Sequence, residues 1–189
     1  MKSNLERIKH MAEEMRDMLA IINDEANGIL NMVNEKEFKV LSVSEIIQEF
    51  GEFKYTEAGG GRITVTDNWR NENIIGLEIN YKKIWCNKKI AHQFAGAFAD
   101  MLAAGLWDYL DIKGGGCYCA RHKCWDIDRS LSSHSWGIAH DFNPKKYPYS
   151  SSYRLPDNVI SIFKKWGFYY GGDFTIPDPM HFEWCQYVI

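Results

Sequence analysis

The sequence predicts an α+β chain, and three observations carry that expectation. The first third is patterned for helix. One long alanine-rich helix follows over residues 88–110. Beyond it come short strand-like runs, aromatic residues and glycines rather than alternating βα units.

In chain order, Ile8, Ala12, Met15, Leu19, Ile22, Ala26, Ile29 and Val33 alternate spacings of four and three, the rhythm of a coiled-coil seam. Such a seam needs a partner helix, so a homo-oligomer through this segment is one expectation. A single amphipathic helix packed on its own domain is the other. A short helix is expected over Val43 to Phe50, opened by the capping-box pattern Ser42-x-x-Glu45 and stopped at Gly51. Residues 1–58 form the expected helical segment, and the glycines 59–61 in "EAGGGR" read as a linker. Residues 62–189 then make the second domain. It begins with the strand pattern "RITVTDNW" and continues with the helix over Lys88 to Leu110. A last helix runs from Leu155 to Gly167, with a proline near its start and a glycine at its end.

A chain of 189 residues, 46% hydrophobic and 14% aromatic, can build a real core. A net charge of -3 argues against a nucleic-acid partner. No apolar run is long enough for a membrane span, and the charged "MKSNLERIKHMAEEM" lacks the apolar core of a secretory signal. The chain is therefore expected to be made in the cytoplasm. Five cysteines, an odd number, favour free thiols over a disulfide framework. Cys117, Cys119, His122 and Cys124 offer a structural zinc cluster as a minor alternative, at a spacing tighter than the usual pairs.

The chemistry concentrates in "SLSSHSWGIAHDFNP" and "PDPMHFEW". Seven residues separate His134 from Asp141, roughly 10 Å along a helix and about 23 Å along a strand. Both reach one metal only if the chain reverses between them, and Gly137 is placed for that reversal. His181 supplies a second histidine, with Asp178 three residues before it and Glu183 two after. Two histidines, a carboxylate and an open fourth position describe a catalytic zinc. His140 would face away from Asp141 in a strand and reads as a bystander. His92 reads as a structural or surface histidine.

The string Ser132-x-His134-x-x-Gly137-x-Ala139-x-Asp141, followed by Asp178-x-x-His181, resembles the signature of the VanY-like D-alanyl-D-alanine carboxypeptidase family. These LAS zinc peptidases include the phage L-alanyl-D-glutamate endolysins. "GGGCYCAR" and "IFKKWGFYYGGDF" extend the likeness, which covers roughly Ile63 to Trp184. It implies a small antiparallel sheet carrying one Zn2+ per domain, flanked by helices. His134, Asp141 and His181 become the metal ligands and Asp178 the general base. Arg121 becomes the oxyanion donor, with Arg129 as its competitor. Ser132, Glu183 and Trp136 are the expected substrate or supporting residues, Glu183 by orienting a ligand and Trp136 as first of all a core and cleft-wall aromatic.

The resemblance further implies a bacterial peptidoglycan stem peptide as substrate. Aspartate before His181 is more like the L-alanyl-D-glutamate endopeptidases than the D-alanyl-D-alanine carboxypeptidases. A wall enzyme without an export signal fits a holin-released endolysin or a virion-borne lysin. The rivals are a host carboxypeptidase, and a wall-binding or virion structural module without turnover.

Overall fold

The computed structural model describes residues 10–11, 13–25, 38–80, 82–110 and 116–187. Two compact units divide the chain, residues 38–187 forming the larger. In the smaller one, residues 13–25 are helical (α1), with Met15, Met18, Leu19 and Ile22 exposed. Ile8, Ala12, Ala26, Ile29 and Val33 of the expected seam lie outside the described residues.

The larger unit opens with β1 (Phe38–Lys39) and α2 (Val43–Phe50). The capping box forms as the sequence implies: the Ser42 hydroxyl accepts from the Glu45 amide, and the Glu45 carboxylate accepts from the Ser42 amide at 2.8 Å. α2 buries Ile46 and Phe50, and Gly51 ends it with φ 88°. The three glycines are not a linker. They close a hairpin between β2 (Tyr55–Gly59) and β3 (Arg62–Val65), with Gly59, Gly60 and Gly61 all at positive φ. A run of glycines serves a tight reversal as readily as a spacer, and only the pairing of the flanking strands separates the two. The compact unit accordingly begins at Phe38 rather than after the glycines.

A short helix α3 (Trp69–Asn73) leads to the antiparallel pair β4 (Ile74–Ile79) and β5 (Lys82–Asn87). α4 spans Ala91–Ala103, shorter than the sequence suggested. Gly105 adopts φ 68° just past its end, and the remainder is a single 3₁₀ turn at Trp107–Tyr109. α4 buries Phe94, Ala97, Phe98 and Met101, and α5 (Asp157–Lys165) buries Val159, Ile160 and Phe163. Helical spacing places each set on one face.

These helices pack one side of a three-stranded antiparallel sheet, ordered β6 (Ala139–Asp141), β8 (His181–Trp184), β7 (Phe168–Tyr170). β9 (Gln186–Tyr187) pairs with β1 and ties the two ends of the unit together. The architecture is the expected α+β arrangement, with small antiparallel sheets and helices.

Candidate metal centre

Each metal-capable side chain is presented by a short element anchored in the core. A 3₁₀ turn at Ser133–Trp136 carries His134. Ser132 caps it, its hydroxyl accepting from the His134 amide, and Gly137 ends it at φ 66°. The Gly137 reversal leads into β6, where Asp141 stands directly opposite His181 of β8. Cross-strand partners on one face approach closely, so two of the three groups meet through sheet register alone. A Cβ on Gly137 would be strained at φ +66° and would fall 2.8 Å from Ile74 Cδ1 and 3.0 Å from the Asn87 amide nitrogen, so glycine suits the turn.

The three donor atoms, His134 Nε2, His181 Nδ1 and Asp141 Oδ1, converge. The histidine nitrogens are 3.3 Å apart, and the carboxylate oxygen lies 3.2 Å from His134 and 2.9 Å from His181. Tetrahedral ligands at about 2.0 Å from a zinc stand about 3.3 Å from one another, so the spacing suits that ion.

The far side of each ring fixes which nitrogen is free. His134 Nδ1 donates to the Cys117 carbonyl at 2.7 Å, and His181 Nε2 donates to Glu183 Oε2 at 3.3 Å. That leaves His134 Nε2 and His181 Nδ1 as the nitrogens able to bind a cation beside the Asp141 carboxylate; without one, a proton on His181 Nδ1 is donated to Asp141 Oδ1. Among the described residues, His134, Asp141 and His181 form the group that could hold a metal ion.

The electrostatics agree. Burial works against charge on His181, yet its bonds to Asp141 and Glu183 push it up to about 10. Burial also opposes ionisation of Asp141, and the two histidines nevertheless hold it well below the usual carboxylate range. A pocket that stabilises positive charge this strongly suits a divalent cation, which competes with the proton for the same lone pair.

Asp178 reaches the same cleft through a turn in which the His181 amide donates to the Asp178 carbonyl at 3.0 Å. The acid-x-x-His spacing is therefore a tight reversal that aims both side chains inward. Asp178 Oδ1 is buried without a hydrogen-bond partner. Burial raises its carboxyl above the ordinary value, with the Asp141 charge adding to the rise. Gly171 makes the reversal fit, since a Cβ there would lie 2.7 Å from the Asp178 carbonyl oxygen and 2.9 Å from His181 Cβ. Sequence reasoning passed over it, although the Gly171-Gly172 pair after a strand was a visible sign.

The cleft holds about 450 Å³, and its walls include Arg121, Lys123, Arg129, Asp178, His181 and Glu183. The two candidate arginines differ in setting. Arg121 Nη2 lies 3.8 Å from Asp141 Oδ2 with its side chain 14% exposed, whereas the Arg129 side chain is 54% exposed and pairs with Asp126 at 3.4 Å. Arg121 is thus at the metal group and Arg129 at the rim. Ser132 lines the cleft as well as capping the His134 turn.

Trp136 takes the core setting rather than the cleft wall and makes no substrate contact. It is 1% exposed, packs tilted against Phe53 with ring centroids 5.0 Å apart, and donates its indole N–H to the Gly51 carbonyl at 2.9 Å, so it is core. The minor alternative of a cysteine zinc cluster does not assemble. The buried Cys117 thiol donates to the Gly137 carbonyl at 3.1 Å and is pushed well up by burial, Cys124 is exposed, and His122 bonds Glu57 and the Arg129 carbonyl. A neutral thiol is a poor zinc ligand. His140 turns away from the metal group and stacks on Phe142 at 4.3 Å, and His92 is exposed.

No helix among the described residues is long and apolar enough to cross a membrane. No curated protein and no solved structure matches the chain. Residues 126–184 do match the family described as D-alanyl-D-alanine carboxypeptidase, and that segment carries all three metal-capable residues together with Asp178 and Glu183. A His-Asp-His group with both histidines buried, inside a segment similar to that family, supports a metallopeptidase.

Proposed function

We propose that the protein is a zinc endopeptidase of peptidoglycan stem peptides that cuts between L-alanine and D-glutamate. The observation that carries the peptidase reading is a His-Asp-His group whose His181 lines one cleft together with Asp178, a carboxylate with a buried, unpartnered oxygen. A bound zinc would supply Lewis acidity, polarising the scissile carbonyl and acidifying a water. Asp178, its carboxyl raised by burial, takes the proton of the attacking water and returns it to the leaving amine. Arg121 stabilises the anionic oxygen of the tetrahedral intermediate. Glu183 holds the His181 ring so that Nδ1 stays available to the metal.

Three cations, Arg121, Lys123 and Arg129, line the cleft, which suits a substrate carrying a carboxylate near the cut. A D-glutamate residue linked through its γ-carboxyl keeps a free α-carboxylate on the leaving side. A terminal D-alanine does the same, so the second reading, a D-alanyl-D-alanine carboxypeptidase, meets the same walls and is favoured by the description of the matched family. The resemblance favours the endopeptidase, since its members with that specificity are the ones more like this chain in carrying aspartate at the position of Asp178. A wall-binding module without turnover has no use for a buried, unpartnered Asp178 oxygen.

We further propose that the enzyme acts as a phage lysin on the bacterial wall, holin-released or virion-borne, with the N-terminal helix joining copies of the chain. Light scattering on the eluted full-length protein would remove that last element by returning a monomer. Digestion of purified peptidoglycan followed by mass spectrometry tests the activity. New D-glutamate amino ends, lost in Asp178→Ala and after chelation, support the endopeptidase. Released D-alanine moves the reading to the carboxypeptidase, and no cleavage by zinc-loaded protein removes both.

A further inference from the structure

The β2–β3 hairpin lies outside the segment that matches the family, yet it grips the residues on either side of Arg121. The Ile63 amide donates to the Ala120 carbonyl at 3.1 Å, and the His122 amide donates to the Gly61 carbonyl at 2.8 Å. Arg62 and Arg121 form an antiparallel bridge, and both guanidinium groups lie over the Trp125 ring, at 4.8 and 5.0 Å. The buried His122 ring spans from Glu57 Oε1 of β2, 3.1 Å away, to the Arg129 carbonyl, 2.6 Å away. Arg121 is held on its other side by Ser135 of the His134 turn, whose hydroxyl donates to the Arg121 carbonyl at 2.8 Å.

Gly61 is the point of closest approach. A Cβ there would fall 2.2 Å from the Trp125 carbonyl oxygen, at φ +71°. Gly60 has a similar φ of +59° but open space around it, so the two glycines separate backbone strain from contact. The loop they meet is itself strained, Cys124 and Trp125 having φ 55° and 59°. A loop held in left-handed conformations keeps that geometry only while its surroundings enforce it.

We propose that the β2–β3 hairpin is the positioning element for Arg121, with Gly61 and Glu57 acting through Trp125 and His122. This rests on the reading of Arg121 as the donor to the reaction's anionic oxygen. The hairpin sets the guanidinium against the Asp141 side of the metal group. Displacing the hairpin tip leaves the zinc ligands in place and moves the arginine.

The test compares zinc-loaded full-length variants on stem peptide released from peptidoglycan. Arg121→Ala should lower kcat by about 10²- to 10³-fold. Gly61→Ala should lower kcat by about 10- to 100-fold with KM little changed, as a displacement of about 1 Å in a reacting group does. Gly60→Ala should stay within about twofold of wild type, carrying strain without contact. In the Arg121→Ala background Gly61→Ala should cost nothing more, because its effect passes through the missing guanidinium. Zinc content should be unchanged throughout. Hydrogen exchange at the Ile63 and His122 amides should quicken in Gly61→Ala and not in Gly60→Ala.

If Gly61→Ala does not fold, Glu57→Gln at an exposed position carries the test, with a smaller kcat loss that again disappears without Arg121. The inference is overturned if Gly61→Ala or Glu57→Gln leaves kcat intact while Arg121→Ala lowers it. It is equally overturned if Gly60→Ala loses as much as Gly61→Ala, or if the losses multiply with that of Arg121→Ala. Full activity in Arg121→Ala would remove the assignment of Arg121 and the inference with it.

Discussion

The two faces of the β6–β8–β7 sheet each hold a histidine, and the fold drives the two in opposite directions. On one face His181 stands opposite Asp141 and beside Glu183, and is pushed up to about 10 although burial opposes it. On the other, burial takes His140 down to about 4 among Phe94, Phe98 and Phe142. Its Nδ1 bonds the Asp141 carbonyl at 2.9 Å, while Nε2 is buried with no partner. Both rings are almost inaccessible, so burial alone does not decide a histidine's charge. The neighbours on its own face decide it, and strand alternation sets those neighbours. One face is thereby chemical and the other structural.

The comparison is broken most directly by exchanging the effects of the two faces. On the chemical face, Asp178→Asn should lower kcat by about 10²- to 10⁴-fold while zinc content and melting temperature hold. Paired kinetics and metal analysis check this, and loss of zinc together with activity would reassign Asp178 as a ligand. On the structural face, Phe182→Ala should destabilise by about 3–5 kcal/mol through the cavity left against Phe163 and Tyr170, whose rings lie 4.4 and 5.0 Å away. Urea unfolding measures it, and a folded variant should still bind zinc.

A smaller effect tests how the chemical face holds its ligand. Glu183→Gln should weaken zinc binding by about 10- to 100-fold, since His181 loses the carboxylate that orients its ring. Chelator competition gives the number, and an unchanged affinity would remove Glu183 from that role.

The smallest effect is a slope. His140 has its folded value depressed from 6.5 to about 4, so the unfolded chain binds its proton first. Its contribution is complete above about pH 6.5 and is lost as pH falls toward about 4, amounting to at most about 3 kcal/mol. His140→Leu should flatten that part of the stability profile without altering zinc content. An unchanged acid slope would show that His140 is not buried as a neutral ring.

Several elements were legible in the residues because their causes are local. The Ser42-x-x-Glu45 box, the reversal at Gly137 and the outward turn of His140 from Asp141 all follow from neighbours within a few positions. The zinc-capable set was legible too, through the likeness of the Ser132 to Asp141 string and of Asp178-x-x-His181 to a family signature, and the three side chains do converge.

Only the tertiary structure decided the rest. Local composition cannot distinguish a glycine spacer from a hairpin tip that touches Trp125, because the difference is what lies across from it. The choice between Arg121 and Arg129 depends on which side chain faces Asp141, and that is set by a hairpin some sixty residues earlier. The same holds for Gly171 under the Asp178 turn, for the Cys117 carbonyl that fixes the His134 tautomer, and for Trp136, whose indole went to the core. Local chemistry selects which residues are able to act, and contacts distant in sequence select which of them meet.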